Sequence, residues 1–240
     1  MTTTDGTGAF TFQFSAGESA PLGPLRLTAG FNGTSMAGGT VEGVTHTVTV
    51  YVRSMTYISV SSAPDVMVRG DSYLISGTLL NDRGDGIHGV GMVVVRLGDS
   101  ELGRADTGQS GSFRLAGTLG HDAVGGPGTL SVSFNDNQGR YVNSTASFDT
   151  VVYGYPVIRR DGPDGADAGE AFNVTVSVSS DNGLPLAGHR VLVTREGGGT
   201  REYLADGNGT VSLSLRMPSD GSDLRVTVEV EKDNASYLRA

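Results

Sequence analysis

Cysteine and tryptophan are both absent from this 240-residue sequence, and lysine occurs once, at Lys232. Without cysteine the fold can have neither disulfide bonds nor cysteine-ligated zinc. Because the chain has no tryptophan and only eight tyrosines, it has few of the aromatic side chains on which proteins usually stack sugars. A nucleotide-binding loop of the G-x-x-x-x-G-K-[ST] type is also excluded, because no such motif surrounds the single lysine.

Long apolar runs and excess positive charge are lacking as well. No stretch of about 18 apolar residues occurs, so we expect no membrane-spanning helix. Residues 1–6 have neither the basic region nor the apolar region of a signal peptide. We therefore expect either a cytoplasmic protein or an excised part of a longer chain, and the repeats described below favour the second. The net charge of −9 and the pI near 4.8 argue against nucleic acid and anionic membrane surfaces as partners.

The most informative feature present is internal repetition. Residues 70–95 align without a gap onto residues 169–194, at a constant offset of 99 (169 − 70). A second pattern occurs three times, beginning at Gly8-Ala-Phe10, at Gly111-Ser-Phe113 and at Gly209-Thr-Val211. Self-similarity with a period of about 100 residues is typical of a tandem array of β-sandwich domains.

The repeats divide the chain into three parts. Residues 1–53 hold the late strands of an incomplete repeat, and we call them the first segment. Residues 54–153 hold a complete repeat, the second unit. Residues 154–240 hold a repeat that lacks most of its last strand, the third unit. The predicted linkers, near residues 53–55 and 153–156, are short, so we expect a rather stiff rod.

Alternation of apolar and polar residues predicts β-strands throughout the chain. Glycine, at 37 residues, is about twice as frequent as usual and supplies turns. Met92–Val95 is apolar on both faces, which predicts an interior strand. The apolar faces of five further strands are Phe172, Val174, Val176 and Val178; Tyr73, Ile75, Gly77 and Leu79; Leu130, Val132 and Phe134; Phe10, Phe12 and Phe14; and Phe113 with Leu115. No segment has helical periodicity, so the predicted fold class is all-β, with tandem immunoglobulin-like β-sandwich domains.

The motifs of the second unit are Arg69-Gly-Asp-Ser, Ile75-Ser-Gly-Thr-Leu, Gly84-Asp-Gly-Ile-His-Gly, Asp106-Thr-Gly-Gln-Ser-Gly-Ser-Phe113 and Tyr141-Val-Asn-Ser-Thr-Ala146. Together they resemble the tandem immunoglobulin-like repeats of archaeal and bacterial surface proteins. The similarity is greatest to repeats in the ectodomains of membrane-anchored, transglutaminase-like archaeal proteins. The resemblance implies a sandwich fold and an extracellular spacer or adhesive role. It implies no catalytic residue, because a transglutaminase-like module would need a cysteine.

Five Asn-X-Ser/Thr sequons are candidate N-glycosylation sites. They lie at Asn32, Asn143, Asn173, Asn208 and Asn234. A glycan requires an exposed asparagine on a secreted protein, and most of these positions are predicted in turns, in loops or on an outward face. The alternative is that a chain rich in threonine and asparagine forms such motifs by composition, since chance alone would give about two.

Two Arg-Gly-Asp tripeptides, at 69–71 and 83–85, invite comparison with integrin ligands. The third unit has residues 168–170 and 182–184 at these positions, and only the glycine is shared. We therefore interpret both tripeptides as backbone turns.

The remaining polar clusters are also weak candidates for sites. Asp161, Asp164 and Asp167 could bind calcium at a junction between domains, but their spacing is not that of a calcium loop, and a solvated acidic linker is the favoured interpretation. No two of the four histidines have metal-ligand spacing; they are His46, His88, His121 and His189. No Gly-X-Ser-X-Gly nucleophile motif occurs. We accordingly predict no catalytic residue, no cofactor and no metal.

The leading functional hypothesis is a non-catalytic stalk or spacer segment at the cell surface or outside the cell. Its partners would be neighbouring domains of a longer surface protein, with no nucleic acid and no membrane insertion by this segment. One alternative is an adhesive module that binds a protein or glycan ligand through its loop tips. Another is a filament subunit completed by strand exchange with a neighbour.

Overall fold

The computed structural model describes residues 2–231 and 237–239 of the chain as β-strands and connecting loops. No helix occurs among these residues, which confirms the all-β class predicted from the periodicity. Nothing in the described ranges is therefore a helix long and apolar enough to cross a membrane.

The first segment contains two small hairpins. Its strands are β1 (Gly23–Phe31), β2 (Thr34–Met36), β3 (Gly39–Val41) and β4 (Val44–Val52). β1 and β4 pair antiparallel along their whole length, from Gly23 opposite Val52 to Phe31 opposite Val44. β2 and β3 form a short hairpin between them. The side chains on both faces of β4 are mostly exposed, so this segment has no core of its own.

The second unit is a sandwich of two sheets. Its strands are β5 (Thr56–Ser62), β6 (Val66–Val68), β7 (Ser72–Asn81), β8 (Met92–Leu97), β9 (Ser100–Asp106), β10 (Ser112–Thr118), β11 (Gly126–Phe134) and β12 (Ser144–Tyr153). One sheet has the order β10-β7-β5 and the other β6-β12-β11-β8-β9. The neighbouring strands are antiparallel except for β6, which runs parallel to β12. The inner faces of the two sheets enclose one continuous apolar core.

The third unit repeats this arrangement with fewer strands. They are β13 (Pro156–Asp161), β14 (Ala171–Ser180), β15 (Arg190–Arg195), β16 (Thr200–Leu204), β17 (Thr210–Arg216) and β18 (Val226–Val230). The sheets have the orders β13-β14-β17 and β16-β15-β18 and enclose a second core. By topology, these strands correspond to β5, β7, β8, β9, β10 and β11. No described residue of this unit forms a counterpart of β12.

In the second and third units, the inward faces predicted from the alternation are the buried ones. Ile75 and Leu79 of β7 are fully buried, as are Val176 and Val178 of β14. β8 lies inside its sheet, between β11 and β9, as its apolar sequence predicts. Its outer face is nevertheless open, and Met92 there is 47% exposed.

The gap-free alignment of residues 70–95 with residues 169–194 is wrong beyond Gly89. That alignment would place Val93 opposite Leu192. The structure instead matches the buried Val93 with the buried Val191, which requires one extra residue in the second unit. Gly91 is the extra residue, and its backbone approaches the Phe134 ring so closely that a Cβ would lie 2.9 Å from it. Because side chains alternate along a strand, a one-residue error inverts every inward assignment.

The strand predicted at Phe10, Phe12 and Phe14 does not form. Residues 9–16 have no regular structure, and the three rings are 52%, 65% and 46% exposed. In the second unit the corresponding strand, β10, pairs with β7. The described first segment offers no counterpart of β7, so this apolar sequence has neither a hydrogen-bonding partner nor an opposing sheet. Strand formation depends on those partners rather than on the sequence alone.

The turn before this sequence forms in spite of that. Asp5 accepts hydrogen bonds from the backbone N–H groups of Thr7 and Ala9, both at 2.9 Å. Asp206 of the third unit makes the same turn with Asn208 and Thr210. Hydrogen bonds hold the pKa of Asp5 below its ordinary value, and the one from the Thr7 side chain contributes most. The pKa of Asp206 is lowered in the same way, chiefly by the hydrogen bond from the Thr210 backbone. The turn is therefore encoded locally, whereas the strand is not.

Candidate functional site: the junction between the second and third units

Each linker is hydrogen-bonded to the unit that follows it. Gly154 donates its N–H to the Tyr237 carbonyl at 2.9 Å and accepts from the Arg239 N–H at 2.8 Å. Ser54 makes the same pair of bonds to residues 140–142 of the second unit. The linkers are thus short parallel β-bridges rather than free tethers.

One arginine spans the second junction. Arg69 leaves the end of β6 in the second unit, and its Nη2 lies 2.8 Å from Oδ1 of Asp181 in the third unit. The same nitrogen donates to the Ser180 hydroxyl at 2.7 Å, and Nη1 donates to the Ala123 carbonyl at 3.4 Å. The two charged side chains are only 4% and 7% exposed, so the ion pair is buried. Removing one partner alone from such a pair is strongly destabilising, because the other charge is left buried and uncompensated.

Other contacts surround this ion pair. His121 of the second unit places Nδ1 3.0 Å from Oδ2 of Asp181. The Tyr155 hydroxyl donates to Asp71 at 3.4 Å, and the Asp181 N–H donates to the Tyr155 carbonyl at 2.9 Å. Nε of Arg69 is buried and has no hydrogen-bond partner among the described residues. The junction therefore joins the turn after β14 to both the linker and the second unit.

Gly154 is at the point where the arginine passes the linker. A Cβ on this residue would overlap Nη2 of Arg69 and Oδ1 of Asp181. The equivalent residue of the first linker is Ser54, whose side chain is accommodated there. The absence of a side chain at residue 154 is therefore a condition for the ion pair.

The first junction has the same acidic residue in a different environment. Asp82 occupies the repeat position of Asp181, 99 residues earlier (181 − 82). Its carboxylate accepts from the Ser54 hydroxyl at 2.8 Å and from the Met55 N–H at 3.4 Å. Within the described ranges no cation reaches it. Asp82 thus contacts the linker where Asp181 binds an arginine.

The hairpin of the first segment occupies the place on the second unit that β11 and β12 occupy on the third. Gly23 and Gly126 open β1 and β11 with similar φ angles of 112° and 116°. A Cβ on Gly126 would lie 3.4 Å from the Tyr237 ring, and one on Gly23 would lie 3.9 Å from Arg140. Tyr237 and Arg140 are the equivalent residues of the two linker bridges. The two junctions therefore share the backbone bridge and the glycine beside it, whereas the ion pair is described at the second junction.

The candidate glycosylation sites are dispersed over the surface. Four of the five asparagines are exposed: Asn32 after β1, Asn143 before β12, Asn173 on β14 and Asn208 in the turn before β17. Asn234 lies outside the described residues. The Asn143 side-chain oxygen accepts a hydrogen bond from the Asp136 N–H at 3.1 Å. The four described asparagines lie on different strands or loops.

The Arg-Gly-Asp tripeptides are turns, as predicted. Gly70 and Gly84 have φ angles of 82° and 84°, and their counterparts Gly169 and Gly183 have 75° and 83°. This left-handed conformation is what glycine is suited to and what the repeats share. Arg69 is buried in the junction and is therefore not displayed to a receptor. Its part in the ion pair is the functional feature that the sequence reasoning missed.

The acidic loop and the histidines do not form a metal centre in the described part of the chain. Asp164 forms an ion pair with Arg160, and the Asp167 N–H donates to Glu170 at 2.8 Å. No group of three or more potential ligands is placed to hold a metal ion among residues 2–231 and 237–239. Of the histidines, His46 and His88 are exposed, and Nδ1 of His189 lies 3.3 Å from the Ala187 carbonyl oxygen. His121 alone joins the junction.

Comparison with known proteins supports the fold. The profile of macroglobulin domain MG4 matches residues 168–239, within the third unit. No curated protein matches the sequence. The chain has an immunoglobulin-like β-sandwich fold.

Several solved structures are similar at low sequence identity. A tetra-tandem repeat from the extending region of a large adhesion protein shares 19% identity over 96% of this chain and 61% of its own, with a TM-score of 0.44. The Escherichia coli adhesin FdeC shares 15% identity over 91% of this chain and 85% of its own, with a TM-score of 0.38. The Yersinia pseudotuberculosis adhesin InvE shares 16% identity over 73% of this chain and 58% of its own, with a TM-score of 0.33. The chain thus spans less than two thirds of the length of the first and last of these structures.

Proposed function

We propose that residues 1–240 are a non-catalytic spacer segment of a longer extracellular or cell-surface protein. The observation that carries this proposal is the junction, where a hydrogen-bonded linker and a buried ion pair join two consecutive sandwiches. Such a joint fixes the separation of whatever lies at the two ends. Its principal partners would be the neighbouring domains of the same protein, and it needs neither a cofactor nor a metal.

The exposed surface of the chain supports an elongated arrangement. The accessible area is 15278 Å². A compact globular protein of 24.8 kDa is expected to expose about 10,000 Å². The excess agrees with two small cores in series and an open first segment rather than one large core.

Small-angle X-ray scattering of the purified chain tests this proposal. We expect a monomeric rod whose radius of gyration is well above the roughly 18 Å of a compact 240-residue globule. The profile should not change with protein concentration. A radius of gyration close to the compact value would contradict the spacer proposal.

The same experiment tests a second candidate, a filament subunit completed by strands from a neighbour. It is favoured by one observation: the β1–β4 hairpin and the phenylalanines at 10, 12 and 14 expose the apolar residues that the second unit buries. Unpaired strands and apolar sheet faces can recruit another chain. For a filament subunit, scattering mass would rise with concentration, and deletion of residues 2–53 would abolish the rise. A spacer would show neither effect.

We further propose that exposed sequons of the chain carry N-linked glycans. Asn173 and Asn208 are the best-supported positions, because both are exposed and neither side chain is drawn into the core. Intact-mass analysis of protein from a glycosylating native host should show added sugar, and Asn208→Gln should reduce it by one glycan. Asn182→Gln is the matched control, since Asn182 is also an exposed turn residue but is not in a sequon. An unmodified mass from the native host would contradict this proposal.

A further inference from the structure

We propose that Arg69, Gly154 and Asp181 form an ionic latch that holds the third unit in one orientation on the second. The latch joins three elements that are separate in sequence: the end of β6, the linker and the turn after β14. The acidic turn of the third unit is presented to the second unit, and the group that it receives is a guanidinium. This inference concerns the geometry of the joint and stands whether or not the chain serves as a spacer.

The orientation is set by the ion pair rather than by the linker alone. The linker bridge at Gly154 fastens the linker to the third unit, and side-chain contacts of Tyr153 with Tyr237 and of His121 with Asp181 also cross the junction. Among these contacts Arg69 makes the buried ionic one, because its backbone N–H is bonded to the Tyr153 carbonyl at 2.9 Å while its side chain reaches Asp181. We therefore expect the ion pair to limit the rotation that the linker bridge would otherwise allow.

Burial makes the latch depend on both of its charges. A guanidinium without its carboxylate, at a site this enclosed, must regain water, and the interface must open to admit it. Nε of Arg69, already buried without a partner among the described residues, adds to that demand. Loss of either charge is therefore expected to release the third unit to sample several orientations, while both sandwiches stay folded on their own cores.

The repeats themselves offer a comparison for the role of glycine. At the first junction the acidic residue is Asp82, no arginine reaches it within the described residues, and the linker position is Ser54. At the second junction the arginine is present and the linker position is Gly154, where a Cβ would overlap the guanidinium. The linker residue, Gly154, thus has no side chain at the junction that contains the ion pair.

Distance measurement between spin labels on the two units tests the latch. The chain contains no cysteine, so Asp99→Cys in the β8–β9 turn and Ser219→Cys in the β17–β18 loop label two exposed positions without background. Double electron–electron resonance on the full chain should give one narrow distance distribution. Arg69→Met, Asp181→Asn and Gly154→Ala should each lose that narrow distribution and give a broader, shifted one.

Asp82→Asn is the matched control, because it removes the same charge at the same repeat position but at the first junction. It should leave the distribution between the labels unchanged. Gly154→Ala alters no charged group and lies outside both cores, so it keeps the test valid if a charge variant misfolds. A broad distribution in the parent chain, or a narrow and unmoved one in Arg69→Met and Gly154→Ala, would show that no latch operates.

Discussion

Replacing Phe134 with alanine is expected to lower the free energy of unfolding of the second unit by about 3–5 kcal/mol. The ring is 1% exposed at the centre of the core. It packs edge-on against Tyr141, with the ring centroids 6.3 Å apart and the planes inclined by 70°. The backbone of Gly91 also borders it. Because the glycine has no side chain that could move into the space, the cavity left by the ring would stay largely open.

The chain contains a matched control at the same repeat position. Phe31 ends β1 as Phe134 ends β11, but it is 44% exposed. Phe31→Ala should therefore change stability by less than about 0.5 kcal/mol. Calorimetry or guanidinium denaturation followed by circular dichroism would resolve the transitions. We expect Phe134→Ala to lower the transition of the second unit and to leave that of the third unit in place. Equal effects of the two substitutions would contradict the assignment of the core.

The sequence predicted the parts of this molecule that depend on alternation along single strands. The inward positions of β7 and β14 follow from a two-residue period, and that period can be observed without knowing the partner strand. The extra residue, Gly91, could not be found in this way. Glycines are frequent in turns, so a gap-free alignment of the turn looks as good as one with a gap. Only the burial of Val93 and Val191 fixes the register.

The packing within the two cores shows why the repeats look more different than they are. Gly77 lies opposite Phe113 in the second unit, and a Cβ on Gly77 would lie 2.7 Å from that ring. In the third unit the same pair is Val176 and Val211. A large and a small side chain have been exchanged for two of middle size, which keeps the filled volume nearly constant. A sequence comparison therefore counts two differences at these positions, although the volume that the two side chains fill together is nearly unchanged.

The junction could not be predicted, because its partners are far apart and each has an unremarkable local context. Arg69 and Asp181 are separated by 112 residues (181 − 69), and Arg69 stands in a tripeptide that is explained by its turn. One signal was available. Among the turn residues 82–84 and 181–183, the aspartate persists in both repeats along with the glycine. The glycine is explained by its left-handed backbone. The aspartate is a frequent turn residue as well, and the structure shows that it also contacts the linker at the first junction and Arg69 at the second.

Replacing Gly111 with alanine is expected to destabilise the second unit by about 3 kcal/mol or more, for two separable reasons. Gly111 has a φ angle of 74°, which costs a residue with a side chain about 1–2 kcal/mol. In addition, the new Cβ would overlap the Leu79 carbonyl oxygen. Relieving that overlap would break the hydrogen bond from the Leu79 N–H to the Gly111 carbonyl, which is 2.8 Å long and joins the turn to β7.

The three copies of this turn separate the two causes. Gly209 has the same conformation and would collide with the Val178 carbonyl oxygen, so Gly209→Ala should destabilise the third unit similarly. Gly8 has a φ angle of 83° but no atom within 4 Å of its Cβ position. Gly8→Ala should therefore incur only the backbone strain, in a segment outside both cores, and should leave both melting transitions unchanged. If Gly8→Ala proved as damaging as Gly111→Ala, the collision with β7 would not be the cause, and the first segment would have to be an integral part of the folded core.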